Sequence, residues 1–123
     1  MPGLLGIIER RVGDVTIIEL EGPLVLEETE IRLRDHINQL VAAGRVKIVL
    51  DMRNVTRLDS AGIGMLVSKY LTACGKGGSL KLLQPTVHSR YLLEITKLVS
   101  VFEIFESEDE AILSFGVGRP KMK

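Results

Sequence analysis

The chain has 123 residues, of which 46% are hydrophobic and 26% are charged, and its 16 basic side chains balance its 16 acidic ones. This composition excludes general disorder, and the balanced charge with few aromatic residues argues against a dedicated nucleic-acid-binding protein. The sequence shows no apolar run of membrane-spanning length and no signal-peptide pattern, and it has a single cysteine, so we expect a cytoplasmic protein without membrane insertion.

The first half of the chain predicts a hairpin followed by a helix and an inner strand. Gly13-Asp14 separates two strand-like runs and suits a hairpin turn, and Gly22-Pro23 is expected to break the second run. The predicted strands and helix cover residues 4–10, 15–21, 29–43 and 46–50.

The second half predicts three further helices with two strands between them. A helix headed by Ser60 precedes a strand over 79–83, and another helix starts at Pro85. A short strand over 101–105 and a helix capped by Ser107 complete the series. The residues predicted to face the core from the first two of these helices are Ile63, Leu66, Val67, Tyr70, Leu71 and Cys74, then Val87, Tyr91, Leu92, Ile95 and Leu98.

This alternation of strands and helices predicts the fold class. We expect one α/β domain over residues 1–117, with a mixed β-sheet that opens with an N-terminal hairpin and is covered by about four helices. Residues 118–123 are predicted to form a flexible basic tail.

The sequence lacks the groupings that catalysis needs. His36 and His88 each lie on a predicted helix, without another histidine at metal-binding spacing. Leu58 occupies the position where a Gly-x-Ser-x-Gly nucleophile elbow around Ser60 would need glycine. We therefore predict that the protein is not an enzyme and has no catalytic residue, metal or cofactor.

Ser60 is the most informative residue because it begins a helix directly after Asp59. In one reading, Ser60 or Asp59 only caps the helix, since both residue types accept a hydrogen bond from the first turn. In the other, Ser60 is a phosphorylation site, because the helix N-terminus favours a negatively charged group. Gly62 and Gly64 lower helix propensity there, which indicates either a close approach by a partner or tight packing against a neighbouring strand.

The run LDMRNVTRLDSAGIG at residues 50–64 resembles the signature of STAS domains, and among these the stand-alone anti-sigma factor antagonists of bacteria. The resemblance extends over about residues 7–115. Further matching stretches lie at 77–82, 92–98, 102–105 and 108–112.

The resemblance implies a mechanism of partner exchange. Unmodified, such a protein binds an anti-sigma factor that is itself an ATP-dependent serine kinase, which frees the sigma factor. The kinase phosphorylates the serine that follows the aspartate, which is Ser60 here, and a metal-dependent serine phosphatase restores binding. The predicted partner-binding residues are Asp59, Ser60, Ala61, Gly62 and Gly64, together with Met65 and Lys69, which we expect to point outward. We expect a monomer or a weak homodimer.

Two positions depart from the family pattern. Gly22-Pro23-Leu24-Val25 replaces a stretch in which many members carry acidic residues beside the partner surface, and Lys97 stands where many have glycine at a helix end. The apolar character of residues 23–26 leaves an alternative open, in which the protein is a non-switching STAS scaffold or an accessory subunit of a stress-signalling or lipid-transport complex. Weak ligand or nucleotide binding at the glycine-containing helix start is a third, less favoured hypothesis.

Overall fold

The computed structural model describes residues 5–25 and 28–116, and its framework is one five-stranded sheet. The strands lie side by side in chain order, with the first pair antiparallel and the remaining pairs parallel. This confirms the predicted α/β fold with a mixed sheet, an opening hairpin and four helices. The predicted tail at 118–123 lies outside the described residues. The elements are β1 (Gly6–Val12), β2 (Val15–Leu24), α1 (Glu28–Ala42), β3 (Lys47–Leu58), α2 (Ser60–Gly75), β4 (Ser79–Leu83), α3 (Val87–Ile95), a 3₁₀ turn (Leu98–Ser100), β5 (Ile104–Phe105) and α4 (Glu108–Leu113).

The sheet carries a hydrophobic core on each face, because successive side chains of a strand point to opposite sides. In β2, Ile18 and Leu20 belong to the larger core, whereas Val15 and Ile17 belong to the smaller one. Helices α1, α2 and α3 contribute to the larger core, and α4 contributes to the smaller one. No helix in the described part of the chain is long and apolar enough to cross a membrane.

Strand β2 continues through the point where the sequence predicted a break. Its pairing with β1 stops at Glu21, but its pairing with β3 extends to Leu24, with a shift in register between Gly22 and Pro23. Proline is tolerated in this stretch because one side of the strand is no longer paired, so the missing N–H interrupts no ladder there. The prediction that Gly22-Pro23 ends the strand was wrong.

Strand β3 is also longer than predicted. It was expected to end near Leu50, but it runs to Leu58, which pairs with Leu24 at the end of the extended β2. Only Asp59 then separates β3 from α2. The helix start is therefore fixed directly to the sheet rather than joined to it by a loop.

Helix α3 presents to the core a face other than the predicted one. Its buried residues are Ser89 and Leu93, whereas Val87, Tyr91 and Ile95 are exposed. The predicted apolar stripe was wrong for these three residues, because the opposite side of the helix fills the space over the sheet.

The C-terminal elements follow the predicted order, but the last strand is shorter than predicted. The predicted strand over 101–105 is reduced to Ile104–Phe105, which follows the 3₁₀ turn. Ser107 caps α4, as the sequence predicted, because its hydroxyl oxygen accepts a hydrogen bond from the Glu110 amide at 3.3 Å. Lys97 has a φ of 66°, in the left-handed region that favours glycine. The departure at Lys97 therefore affects a helix ending, as the sequence predicted.

Candidate functional site

The start of α2 is capped by Asp59. This residue has an extended backbone, and its Oδ1 atom accepts a hydrogen bond from the Gly62 amide at 3.0 Å. Its carbonyl oxygen accepts the first helical bond, from the Ile63 amide at 3.0 Å. Of the two capping candidates left open by the sequence, the structure identifies Asp59.

Ser60 is the first residue of α2, and its side chain is exposed. Because the Asp59 carboxylate accepts the hydrogen bond from the Gly62 amide, the Ser60 hydroxyl is not needed as a cap. No hydrogen bond to this hydroxyl is present among the described residues. The hydroxyl is therefore available at the surface, at the end of the helix where the backbone dipole favours negative charge.

The two glycines of the first turns have different surroundings. A Cβ atom on Gly62 would collide with the carbonyl oxygen of Leu24 and lie 3.0 Å from the Leu58 Cδ1 atom. A Cβ atom on Gly64 would meet nothing within 4 Å. Gly62 thus permits the close approach of α2 to the ends of β2 and β3, while Gly64 leaves open space at the surface. Ala61 comes directly before Gly62 and is partly buried.

The prediction that Met65 and Lys69 point outward was wrong, because both side chains face inward. Met65 is 4% exposed and belongs to the larger core. Lys69 is 9% exposed, and its Nζ atom donates a hydrogen bond to the Asn38 Oδ1 atom of α1 at 2.7 Å. Helix α2 packs against α1 as well as the sheet, so its buried side is rotated from the predicted stripe. Leu71 and Cys74, which were predicted to be buried, are exposed.

Four of the last six residues of β3, which precede Asp59 and Ser60 in the chain, have exposed side chains, and the sequence did not predict this surface. Arg53, Asn54, Thr56 and Arg57 are all exposed, and the pairing places Arg57 opposite Pro23. Arg53 donates to the buried Asp51 carboxylate at 2.7 Å, and this hydrogen bond raises the pKa of Arg53. Arg57 forms no ion pair with any described residue. The signal in the sequence was a pair of polar residues, repeated after a single apolar residue at Val55.

The stretch at residues 22–25 does not form a continuous apolar patch. Leu24 is fully buried and pairs with Leu58, while Pro23 is partly buried. The prediction that residues 23–26 present an apolar interface is therefore wrong for Leu24, whose side chain is buried in the core. Leu26 lies outside the described residues.

The described residues bring together no group of three or more His, Cys, Asp or Glu side chains that could hold a metal ion. His36 lies with its Nε2 atom 2.9 Å from the Glu9 Oε1 atom, and His88 is exposed on α3. Burial alone would raise the pKa of Glu9, but the hydrogen bonds from Arg11 and His36 outweigh it and lower that pKa. Asp51 is buried and paired with Arg53.

Comparison with known proteins places these features in a family. The pattern of the STAS domain matches residues 7–111. The chain is 27% identical over 106 residues to the anti-sigma F factor antagonist of Paenibacillus polymyxa, covering 84% of this chain and 88% of that protein. Its fold is similar to that of an anti-sigma factor antagonist from Mycobacterium paratuberculosis, with a TM-score of 0.82, 20% identity and coverage of 94% and 97% of the two chains.

The structure is also similar to two structures of SpoIIAA. The unphosphorylated form matches with a TM-score of 0.76 at 20% identity, over 89% of this chain and 95% of SpoIIAA. The phosphorylated form, from Bacillus, matches with a TM-score of 0.70 at 20% identity, over 87% and 96%. Because the family pattern runs from residue 7 in β1 to Ala111 in α4, the chain belongs to the STAS domain family.

Proposed function

We propose that this protein is an anti-sigma factor antagonist that binds an anti-sigma factor serine kinase while Ser60 is unmodified. Phosphorylation of Ser60 by that kinase ends the complex, and a serine phosphatase restores binding. The observation that carries the proposal is the division of roles at the start of α2. Asp59 caps the helix through its bond to Gly62, so the exposed Ser60 hydroxyl has no structural duty there.

The local chemistry supports a switch that changes the surface and preserves the fold. A phosphate adds about −1.5 to −2 charges and three acceptor oxygens. The helix dipole stabilises this charge at Ser60, while the adjacent Asp59 carboxylate and any acidic partner surface oppose it. The hydrophobic-core residues of α2 begin at Ile63, whereas the Ser60 side chain is exposed. SpoIIAA has been solved in phosphorylated and unphosphorylated forms, and both resemble this chain.

The partner surface in this proposal comprises the first turn of α2 and the exposed end of β3. It includes Asp59, Ser60, Ala61 and the open surface at Gly64, with Arg57 of β3 alongside. Gly62 does not itself form this surface, but it lets the helix pack closely against the sheet and so fixes the position of the first turn. The action of an ATP-dependent kinase also makes a cytoplasmic location part of the proposal.

The first test is the mass of the protein and its peptides from native cells, both growing and stressed. We expect a phosphoryl group on Ser60 whose occupancy changes with the condition. A Ser60 that is unmodified in every condition would contradict the switch and favour a permanent scaffold. The apolar stretch that motivated the scaffold hypothesis is interrupted by the buried Leu24, so its described residues 23–25 do not support that hypothesis.

A second test measures binding to the serine kinase that modifies the protein. Ser60→Asp is expected to abolish the complex while the circular dichroism spectrum stays unchanged. Ser68→Asp is the matched control, because Ser68 is exposed on the same helix two turns away and is expected to leave binding intact. Kinase binding by Ser60→Asp that equals that of the parent protein would refute the proposal.

A further inference from the structure

Helix α3 carries a row of exposed apolar side chains that the core does not use. Val87 is 89% exposed, and Tyr91 and Ile95 are each 57% exposed. Their spacing of four residues puts them on one side of the helix, over a length of about 12 Å. Single exposed apolar residues are ordinary, but a contiguous row indicates an interaction surface.

Charged residues border this row in a definite order. With a rotation of about 100° per residue, Arg90 and Glu94 lie along one side of it and His88 lies on the other. Arg90 donates a hydrogen bond to the Glu106 Oε2 atom at 2.7 Å, so part of its guanidinium remains open to another acceptor. Glu94 is exposed and forms no ion pair with any described residue.

We propose that the exposed face of α3 is a two-fold interface with a second copy of this chain. In an antiparallel pair of α3 helices, Tyr91 packs against Tyr91 of the second copy, and Val87 packs against Ile95 of the second copy. The two-fold axis also reverses the order of Arg90 and Glu94 along the second copy of the helix. Arg90 then faces Glu94 of the second copy, and the same contact is repeated on the other side of the axis.

Self-complementarity is the reason for choosing a second copy as the occupant. A two-fold interface must match itself, with each residue meeting the residue related to it by symmetry. The row satisfies this requirement for the apolar contacts and for the opposite charges together. A partner of unrelated sequence would require no such arrangement of Arg90 and Glu94.

The interface is small, so the dimer is expected to be weak. Three apolar side chains and one ion pair per copy fall well below the roughly 1,200 Å² of buried surface that characterises stable complexes. Association should therefore depend on concentration in the micromolar to millimolar range. This surface lies on a different helix from Ser60, so the proposal stands apart from the phosphorylation switch.

The first experiment is sedimentation equilibrium of the full chain from about 10 μM to about 1 mM, which spans the affinities expected of a small interface. We expect a reversible monomer–dimer equilibrium. Tyr91→Ser should weaken it at least about tenfold, because a central aromatic residue is the commonest energetic anchor. Leu71→Ser is the matched control, since Leu71 is 62% exposed on α2 and should leave association unchanged.

A charge exchange tests the geometry itself. Arg90→Glu and Glu94→Arg should each weaken the dimer by placing like charges together, and the double variant should restore it. Glu106→Gln removes the charge that Arg90 contacts within one chain, and this variant should not weaken association. A monomer at every concentration, a dimer insensitive to Tyr91→Ser, or a double variant that fails to recover would each overturn the proposal. The proposal would also be overturned if the parent protein did not self-associate and Tyr91→Ser lost kinase binding, because the exposed face of α3 would then bind another protein.

Discussion

The first turn of α2 and its middle turns belong to the same helix but face different surroundings. In the first turn the Ser60 side chain is exposed and Gly64 borders open space. In the middle Met65 lies in the larger core and Lys69 is held by Asn38. A change of charge at the helix start therefore alters the surface alone, whereas a change a few residues later disturbs the packing that fixes the helix on the sheet.

The largest effect is expected from Met65→Ala in the middle of the helix. Because Met65 is 4% exposed, its truncation should lower the free energy of unfolding by about 2–5 kcal/mol. Urea denaturation measures this change, and Leu71→Ala, on the exposed side of the same helix, should cost less than about 0.5 kcal/mol. A stable Met65→Ala variant that loses kinase binding would show that Met65 faces the partner after all.

A smaller effect is expected where the helix approaches the sheet. Gly62→Ala should cost about 1–3 kcal/mol, because the new Cβ atom collides with the Leu24 carbonyl group and the surrounding backbone must shift. Gly64→Ala has open space and should gain up to about 1 kcal/mol from helix propensity. Thermal or urea unfolding of the two variants measures the contrast. Equal effects of the two substitutions would mean that α2 does not touch β2 at Gly62.

The sequence predicted the order of elements and the α/β fold because each signal was local. Gly13-Asp14 marked the hairpin, the β-branched run at 46–50 marked an inner strand, and Ser107 marked the start of α4. The extent of β2 and β3 could not be read in this way. Pro23 is a strand breaker by itself, and it is accommodated only because β1 has already ended at its level.

The side chains that each helix buries depended on contacts distant in sequence. Lys69 looks like a surface residue until Asn38, 31 residues earlier, supplies its hydrogen-bond acceptor. Similarly, Val87, Tyr91 and Ile95 form the stronger apolar row of α3, but Leu93 fills the core from the other side. Periodicity identifies a helix with two dissimilar faces, and packing decides which of them meets the sheet.

The choice between Asp59 and Ser60 as the cap gives the finest test of the comparison. Asp59→Ala should cost about 1 kcal/mol, because the Gly62 amide loses its acceptor and the helix dipole loses a nearby carboxylate. Ser60→Ala should change stability by less than about 0.5 kcal/mol, since its exposed hydroxyl holds nothing within the fold. Paired urea titrations at equal ionic strength resolve the two changes. If Ser60→Ala were the more destabilising variant, the Ser60 hydroxyl would contribute to the stability of the fold. A phosphate on Ser60 would then disturb the start of the helix and not only its surface.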